Sequence, residues 1–311
     1  MNQQSVADPL KRREFWIGFL FACLGAVLFS AKAIVAKLTY RYGVDALTVI
    51  GFRMMMSLPF FAVVAWYQAG LAHKGRLPRL SVKERLQLIV LGVIGYYLSS
   101  YLDFLGLQYI SAGLERLILF LAPTFVLLFS AFWLKRVISA KQWAALAVSY
   151  LGVILAFVHD LSFSGSEVVL GSAFVMGSAI TYAVYLIGSG ELIKRVGPTR
   201  LVAYAMCVSS VVTLIHFMIA RGLAGFDQPL PVFGLSLVHA VFHTFFPTFM
   251  IMWAVARIGA PMTSQLGLIG PVSVLFLAAW LLDEPITSLQ VVGTVFVLAG
   301  AVILSRNKPK G

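Results

Sequence analysis

Apolar stretches of membrane-spanning length recur along the whole chain, and this feature constrains the fold most. A helix needs about 20 mostly apolar residues to cross the hydrocarbon core of a bilayer. Ten candidate stretches can be marked, at residues 16–36, 47–67, 86–107, 112–134, 143–158, 168–188, 200–220, 232–256, 262–282 and 289–305. Charged residues make up 12% of the chain, against about 25% in soluble globular proteins. The sequence therefore predicts an all-α polytopic membrane protein with ten transmembrane helices.

The distribution of charge predicts how these helices are oriented. If both termini are cytoplasmic, 18 of the 24 Lys and Arg residues fall on the cytoplasmic side, whereas Lys37, Arg41 and Arg221 fall outside. Basic residues accumulate in cytoplasmic loops of membrane proteins. We therefore expect a multi-pass protein of a bacterial-type inner membrane with cytoplasmic N- and C-termini. Topology also accounts for the net charge of +12, so no nucleic-acid partner is expected.

The two halves of the chain resemble each other. Residues 110–113 (ISAG) match residues 258–261 (IGAP) at an offset of 148, and residues 16–18 match residues 169–171 at an offset of 153. A fixed offset sustained over tens of residues indicates duplication. We expect one repeat at residues 1–158, a second at 168–305, and a cytoplasmic tail at 306–311.

Each repeat holds five predicted spans, an odd number, so the second copy should enter the membrane from the opposite side. Residues 133–139 (WLKRVIS) form a basic loop, whereas the equivalent residues 281–287 (LLDEPIT) form an acidic one. Opposite charge on equivalent loops is the pattern expected when the copies are inverted. Inverted five-helix repeats are an architecture of secondary transporters.

The closing segments of the two repeats resemble a known family. The second, Asp283–Leu304, reads DEPITSLQVVGTVFVLAGAVIL, and the first reads KRVISAKQWAALAVSYLGVIL at residues 135–155. Together with the duplication, they resemble the EamA-type, ten-helix branch of the drug/metabolite transporter superfamily. The first copy departs from the family pattern, because Arg136 stands at the position of Glu284. The resemblance implies transport of small metabolites without fixing which one.

Five ionisable residues fall inside predicted spans of the first repeat and share one depth in the outer half of the membrane: Lys32, Arg53, Asp103, Glu115 and Arg116. Charges inside spans are costly and are usually functional, so we expect these residues to bind or translocate a substrate. Three other readings are open. Lys32 could extend its ammonium outward along its methylenes, a helix N-terminus could stabilise Glu115, or all five could form a structural ion network.

Tyrosines and other polar residues recur on single faces of the third and sixth predicted helices. Tyr96 and Asp103 share a face of the third helix, while Tyr182 and Tyr185 share a face of the sixth, because side chains three and four residues apart are neighbours on a helix. A polar stripe facing lipid would be unfavourable. We therefore expect these residues to line one central cavity.

Two histidines and two prolines add further candidates. His239 and His243 are four residues apart, a spacing that suits metal ligation, interhelical hydrogen bonding or proton coupling. No third ligand is evident in the sequence, so we expect neither a metal nor a cofactor, and we retain His243 as a candidate translocation residue. Pro123 and Pro271 occupy equivalent mid-span positions. Proline bends a helix, so both are candidate gating residues.

These features predict a secondary active transporter, not an enzyme, that exports a small polar or zwitterionic metabolite such as an amino acid. Its partners would be the small-molecule substrate, the lipid bilayer and a proton as coupling ion; the oligomeric state is left open. The alternative is a membrane-embedded enzyme that modifies a lipid. Glu115 and His243 are the residues from which such an active site could start, although the sequence shows no catalytic motif.

Overall fold

The computed structural model describes residues 9–134, 139–164, 166–258, 263, 266–267 and 269–306. The first half forms α1 (Pro9–Ser30), α2 (Lys32–Tyr40), α3 (Ala46–His73), α4 (Val82–Gly92), a π-helical segment (Val93–Leu98), α5 (Ser99–Leu107), α6 (Ala112–Leu119), α7 (Ala122–Leu134) and α8 (Ala140–Ser164). The second half forms α9 (Glu167–Val196), α10 (Pro198–Arg221), a 3-10 turn (Leu223–Phe226), α11 (Leu230–Ala240), a second π-helical segment (Val241–Phe245), α12 (Phe246–Ile258), α13 (Ile269–Leu281) and α14 (Ser288–Arg306).

The described part of the chain confirms a helical membrane protein. Seven helical segments are long and apolar enough to cross a membrane: Arg13–Tyr40, Ala46–His73, Val82–Leu107, Ala140–Val158, Glu167–Ser189, Pro198–Arg221 and Leu230–Ile251. The apolar helices Ile269–Leu281 and Ser288–Gly300 are shorter, and the fourth predicted stretch is divided between α6 and α7. Every predicted stretch thus holds helix, while the count of ten crossings stays a prediction. Arg136 and residues 259–262 and 307–311 lie outside the described residues.

Helices α8 and α14 touch backbone to backbone through small residues. A Cβ atom on Gly293 would lie 2.6 Å from the carbonyl oxygen of Gly152, and one on Gly300 would lie 2.6 Å from that of Ala145. At the offset of 148, Gly152 corresponds to Gly300 and Ala145 to Gly293. Replacing each residue of the first contact by its equivalent in the other repeat therefore gives the second contact, as a two-fold axis between the repeats would. Small residues allow this close approach in a membrane, where van der Waals packing holds helices together.

A second pair of contacts follows the same relation. A Cβ atom on Gly18 of α1 would lie 2.7 Å from Cγ2 of Ile258, the last residue of α12. One on Gly171 of α9 would lie 2.8 Å from Cγ2 of Ile110, just after α5. Gly18 corresponds to Gly171 at the offset of 153, and Ile110 to Ile258 at 148. The helix that opens each copy thus packs against the third predicted helix of the other. These paired contacts support the proposed repeats at residues 1–158 and 168–305.

Interruptions in the helices also occur at equivalent positions. The two π-helical segments begin at Val93 and Val241, 148 residues apart. Widened turns of this kind frequently mark functional sites. The first predicted span is broken at Ala31, between α1 and α2, and the fourth is broken at residues 120–121, between α6 and α7. The π-helical segments and residues 120–121 thus depart from α-helical geometry inside apolar stretches, whereas Ala31 is a one-residue irregularity within the segment Arg13–Tyr40.

The structure places the two prolines near the starts of helices, whereas the sequence suggested bends within continuous helices. Pro123 is the second residue of α7 and Pro271 is the third residue of α13. Before Pro123 the backbone changes to short-range bonds, from Leu121 N to Ile118 O at 2.9 Å and from Thr124 N to Leu121 O at 2.8 Å. A proline in the first turn of a helix removes an N–H group that has no intrahelical partner. Each proline therefore begins a half-helix after an interruption. Gating by either residue stays a prediction.

The α8–α14 contact predicts opposite effects for two glycine substitutions. Gly293→Ala would force Cβ against the Gly152 backbone and should lower stability by about 1–3 kcal/mol. Gly234→Ala lies in α11 with nothing within 4 Å of the new Cβ, so it should leave stability unchanged or raise it by up to about 1 kcal/mol. Thermal unfolding in detergent, followed by circular dichroism, compares them. Equal shifts for both variants would contradict the close packing.

Candidate functional site

Three of the predicted ionisable residues form one buried ion cluster. Lys32 is the first residue of α2, directly after the interruption at Ala31. Its Nζ forms an ion pair with the Asp103 carboxylate of α5 and lies 3.7 Å from Glu115 Oε1 of α6. All three residues are buried, with Glu115 fully inaccessible and Asp103 2% exposed. This placement excludes the reading in which Lys32 extends its ammonium towards the membrane surface.

The cluster leaves polar atoms without partners. Asp103 Oδ1 and Glu115 Oε2 accept no hydrogen bond within the described part of the protein, although both are buried. Removing an ion from water costs several kcal/mol, which a well-placed counter-ion offsets only partly. Two carboxylates facing one ammonium can therefore accept a second cationic donor.

Arg53 and Arg116 complete the group over two aromatic rings. Arg53 Cζ lies 4.7 Å and Lys32 Nζ 5.9 Å from the centre of the Phe104 ring. Arg116 Cζ lies 5.6 Å and Lys32 Nζ 5.4 Å from the Phe29 ring. Aromatic faces attract cations at these separations. Phe29 and Phe104 thus lie against three cations. In an apolar sequence, nothing distinguishes these two phenylalanines from residues that only pack in the core.

Both guanidinium groups keep unused donors. Arg53 Nε and Nη2 and Arg116 Nε are buried and donate to no partner among the described residues. Three cations and two carboxylates give this group an excess positive charge when all are ionised. Planar guanidinium donors suit bidentate recognition of a carboxylate. The five predicted residues are therefore brought together in an arrangement that can bind groups of both signs.

The two histidines differ in their surroundings. His243 lies in the second π-helical segment, and its Nδ1 is 2.7 Å from the carbonyl oxygen of Leu28, so it links that segment to α1 by an interhelical hydrogen bond. His239 is fully buried, stacks on Phe104 with ring centres 5.4 Å apart, and has no hydrogen-bond partner at either ring nitrogen in the described structure. Among the described residues no group of His, Cys, Asp or Glu is arranged to hold a metal ion.

The predicted tyrosines form a second group. The hydroxyl oxygens of Tyr96 and Tyr185 are 3.1 Å apart, and the rings of Tyr182 and Tyr185 stack with centres 5.7 Å apart. Tyr185 rests on the first π-helical segment, since a Cβ atom on Gly95 would lie 2.5 Å from Tyr185 Cβ. The polar faces of the third and sixth predicted spans thus face each other. A shared central cavity stays a prediction.

One end of the ion cluster is covered by contacts between the two halves. Glu284, after α13, accepts the backbone N–H of Ala112 at 3.2 Å and lies 3.2 Å from Lys37 Nζ. Arg41 Nη2 donates to the carbonyl oxygen of Leu282 at 2.8 Å. Glu284 therefore joins α2 to the start of α6, the two helices that carry Lys32 and Glu115. This is the side predicted to face outward.

Comparisons with known proteins agree with this architecture. The model of the EamA-like transporter family matches residues 16–158 and 169–306. The chain therefore belongs to the EamA-like transporter family, consistent with the drug/metabolite transporter superfamily. The superposition with a solved crystal structure covers 92% of this chain and 95% of the chain in that structure, with a TM-score of 0.60 and 16% sequence identity. This similarity shows a common fold.

Relatives carry transporter names. A Bacillus subtilis protein named "Uncharacterized transporter YcbK" is 30% identical over 94% of this chain and 95% of its own length. An uncharacterized transporter of Archaeoglobus fulgidus is 26% identical, covering 89% of this chain and 99% of its own. A Chlamydia trachomatis protein named as an S-adenosylmethionine/S-adenosylhomocysteine transporter is 30% identical over 45% of this chain and 44% of its own. The protein is a multi-pass membrane transporter of small metabolites, and its bacterial relatives indicate the plasma membrane.

The ion cluster predicts strong coupling between Lys32 and Asp103. Lys32→Met leaves two buried carboxylates without their cation, and Asp103→Leu leaves Lys32 with only the more distant Glu115. Each variant alone should lower stability by about 3–5 kcal/mol. The double variant should recover part of this loss, giving a coupling energy of at least about 1 kcal/mol. A double-mutant cycle measured by unfolding in detergent tests this coupling.

The exposed pair Arg41–Asp283, with 4.0 Å between Nη2 and Oδ2, provides the control. The cycle of Arg41→Met with Asp283→Asn should give a coupling of about 0–1 kcal/mol, as exposed pairs do. If the stability losses of Lys32→Met and Asp103→Leu simply add in the double variant, the two ions do not stabilise each other.

Proposed function

We propose that this protein is a secondary active transporter that exports a small zwitterionic metabolite, such as an amino acid, by alternating access. The observation that carries the proposal is the buried group of three cations and two carboxylates with unpartnered donors and acceptors of both signs. A zwitterion presents one carboxylate and one ammonium, and the group offers a complement to each.

Each side chain then has a chemical role. Arg53, through Nε and Nη2, and Arg116, through Nε, would donate to the substrate carboxylate, because these atoms are otherwise unpaired in the described structure. Asp103 and Glu115 would accept the substrate ammonium, which would compete there with Lys32. Tyr96, Tyr182 and Tyr185 would contact the rest of the molecule. Displacement of Lys32 by substrate would weaken the ion pair that joins α2 to α5, which links binding to rearrangement.

The interruptions near the cluster support alternating access. Lys32 follows the break at Ala31, and Pro123 follows the break before α7. Discontinuous helices near substrate sites recur in transporters built from inverted repeats. In this proposal the contacts of Glu284 with Lys37 and Ala112 form an outer gate, Pro123 and Pro271 fix the ends of moving half-helices, and a proton or counter-substrate gradient supplies the energy.

The name of the C. trachomatis relative supports the same class of substrate. S-adenosylmethionine and S-adenosylhomocysteine each carry an α-amino group and a carboxylate. The alternative of a lipid-modifying enzyme has less support, because its two starting residues are engaged elsewhere: Glu115 faces Lys32, and His243 Nδ1 contacts the Leu28 carbonyl. An enzyme also requires a positioned nucleophile and base.

The proposal predicts saturable flux that depends on Arg53. Proteoliposomes containing the purified protein should take up one or more members of a panel of radiolabelled amino acids, and a pH gradient or internal counter-substrate should increase the rate. Arg53→Gln should lower flux at least tenfold, since a lost charge-assisted hydrogen bond costs about 1.5–3 kcal/mol. Arg53 forms no ion pair in the described structure, so the variant should still fold.

Arg76→Gln is the matched control, because Arg76 is exposed in the loop between α3 and α4 and its loss should leave flux unchanged. Equal flux in Arg53→Gln and wild type would contradict the assigned carboxylate site. Turnover of lipid without flux of any solute would favour the enzyme.

The outer gate predicts an accessibility change. Ser30 is fully buried and Gly270 packs against its Oγ, so a Ser30→Cys thiol in a background without Cys23 and Cys207 should react slowly with a membrane-impermeant reagent. Glu284→Gln should increase the labelling rate several-fold, because it weakens the contact with Lys37. Asp283→Asn is the control, since the Asp283 side chain is 91% exposed. Equal rates in both variants would rule out a gate at Glu284.

A further inference from the structure

A basic cleft lies away from the ion cluster, where α3 ends and α4 and α10 begin. Its volume is about 620 Å³. The residues that line it are Ala69, Ala72, His73, Arg79, Leu80, Arg85, Leu88, Ile89, Arg200, Tyr204, Cys207 and Val208. The helix ends and the intervening loop lie on the side predicted to be cytoplasmic.

The lining divides into a charged end and an apolar wall. Arg79, Arg85 and Arg200 supply three guanidinium groups and His73 an imidazole, whereas Leu88, Ile89 and Val208 belong to an apolar surface deeper along α4 and α10. No acidic residue of the described chain lines the cleft. The nearby carboxylate of Glu84 does not line the cleft. It accepts from Ser81, pairs with Arg195 at 3.1 Å and interacts electrostatically with Arg200.

Arg200 provides an independent indication of a ligand. The residue is 3% exposed, and its Nη1 donates to the carbonyl oxygen of Pro78 at 2.7 Å. Its guanidinium lies 5.7 Å from the centre of the Tyr204 ring. These contacts fix the orientation of the group, yet its Nε has no partner within the described structure. A buried, fixed guanidinium with an unused donor is a built site for an anion.

The surroundings indicate that the anion carries a hydrocarbon part. Ile89 is nearly half exposed, so the apolar wall of the cleft continues onto the outer surface of α4. Trp66 and Tyr67 are exposed on α3 one turn before Ala69, and such residues concentrate at the membrane interface. The cleft therefore places its charges at headgroup level and its apolar wall towards acyl chains.

We propose that this cleft is a binding site for an anionic phospholipid, with the phosphodiester held by Arg79, Arg85 and Arg200 and an acyl chain lying along Leu88, Ile89 and Val208. Basic pockets between helices on the cytoplasmic side bind anionic headgroups. The excess of basic over acidic lining residues selects an anionic lipid over a zwitterionic one. This site is separate from the proposed transport site and does not depend on the identity of the transported solute.

Lipid retention tests the proposal directly. The purified protein, reconstituted with phosphatidylglycerol and phosphatidylcholine in equal amounts and released into the gas phase for native mass spectrometry, should retain phosphatidylglycerol preferentially, by at least fivefold. The double variant Arg79→Gln/Arg85→Gln should lose this preference. Its control is Arg76→Gln/Lys83→Gln, which removes two positive charges from exposed positions of the same segment that do not line the cleft and should retain it.

Cys207 lines the cleft and reports its occupancy. In a Cys23→Ser background, its alkylation should be several-fold slower in phosphatidylglycerol nanodiscs than in phosphatidylcholine nanodiscs, and the Arg79→Gln/Arg85→Gln variant should abolish the difference. Equal loss of lipid preference in both double variants would show a general effect of surface charge and overturn the site. Displacement of the lipid by excess inorganic phosphate would show a soluble-anion site and contradict the assignment to a phospholipid.

Discussion

The contact of the Lys32 ammonium with the carboxylates of Asp103 and Glu115 is the interaction on which the rest of the structure depends. It joins α2, α5 and α6 in a setting where water does not screen the charges. Removing Lys32 would leave two buried carboxylates without their cation. The same ammonium shares the Phe29 ring with Arg116 and the Phe104 ring with Arg53, so Lys32 contacts both carboxylates and lies beside both arginines.

The two proposed repeats share helix packing but differ in chemistry. The α8–α14 glycine contacts, the π-helical segments and the capping boxes at Ser139–Gln142 and Thr287–Gln290 all recur at the offset of 148. The five charged residues of the cluster belong to the first repeat. At the positions equivalent to Lys32 and Glu115, the second repeat has the uncharged residues Tyr185 and Thr263. An exchange of conformations between copies requires similar helix packing, whereas a binding site requires complementarity to one ligand, so the scaffold and the site are under different constraints.

The sequence was sufficient to predict a helical membrane protein of the EamA-like family, because hydropathy and motif spacing are properties of the linear chain. The count of ten spans and the boundaries of the two repeats stay predictions. The sequence did not reveal the ion cluster itself, since the pairing of Lys32 with Asp103 depends on how two helices are rotated. Phe29 and Phe104 are indistinguishable in sequence from other apolar residues. The break at Ala31 is not marked by a glycine or a proline. Gly95 lies inside the first π-helical segment and Pro247 follows the second, but neither residue by itself predicts a widened turn, which tertiary packing decides.

The central claim is that the buried cluster binds one molecule through an anionic group and a cationic group together. The most direct measurement is the thermal stability of the purified protein with matched ligands: an amino acid, its decarboxylated amine and its deaminated acid. The account predicts that at least one zwitterion raises the unfolding temperature, and that removing either charged group from it abolishes the shift. Equal stabilisation by the amine or the acid alone, or by an uncharged analogue, would contradict the account.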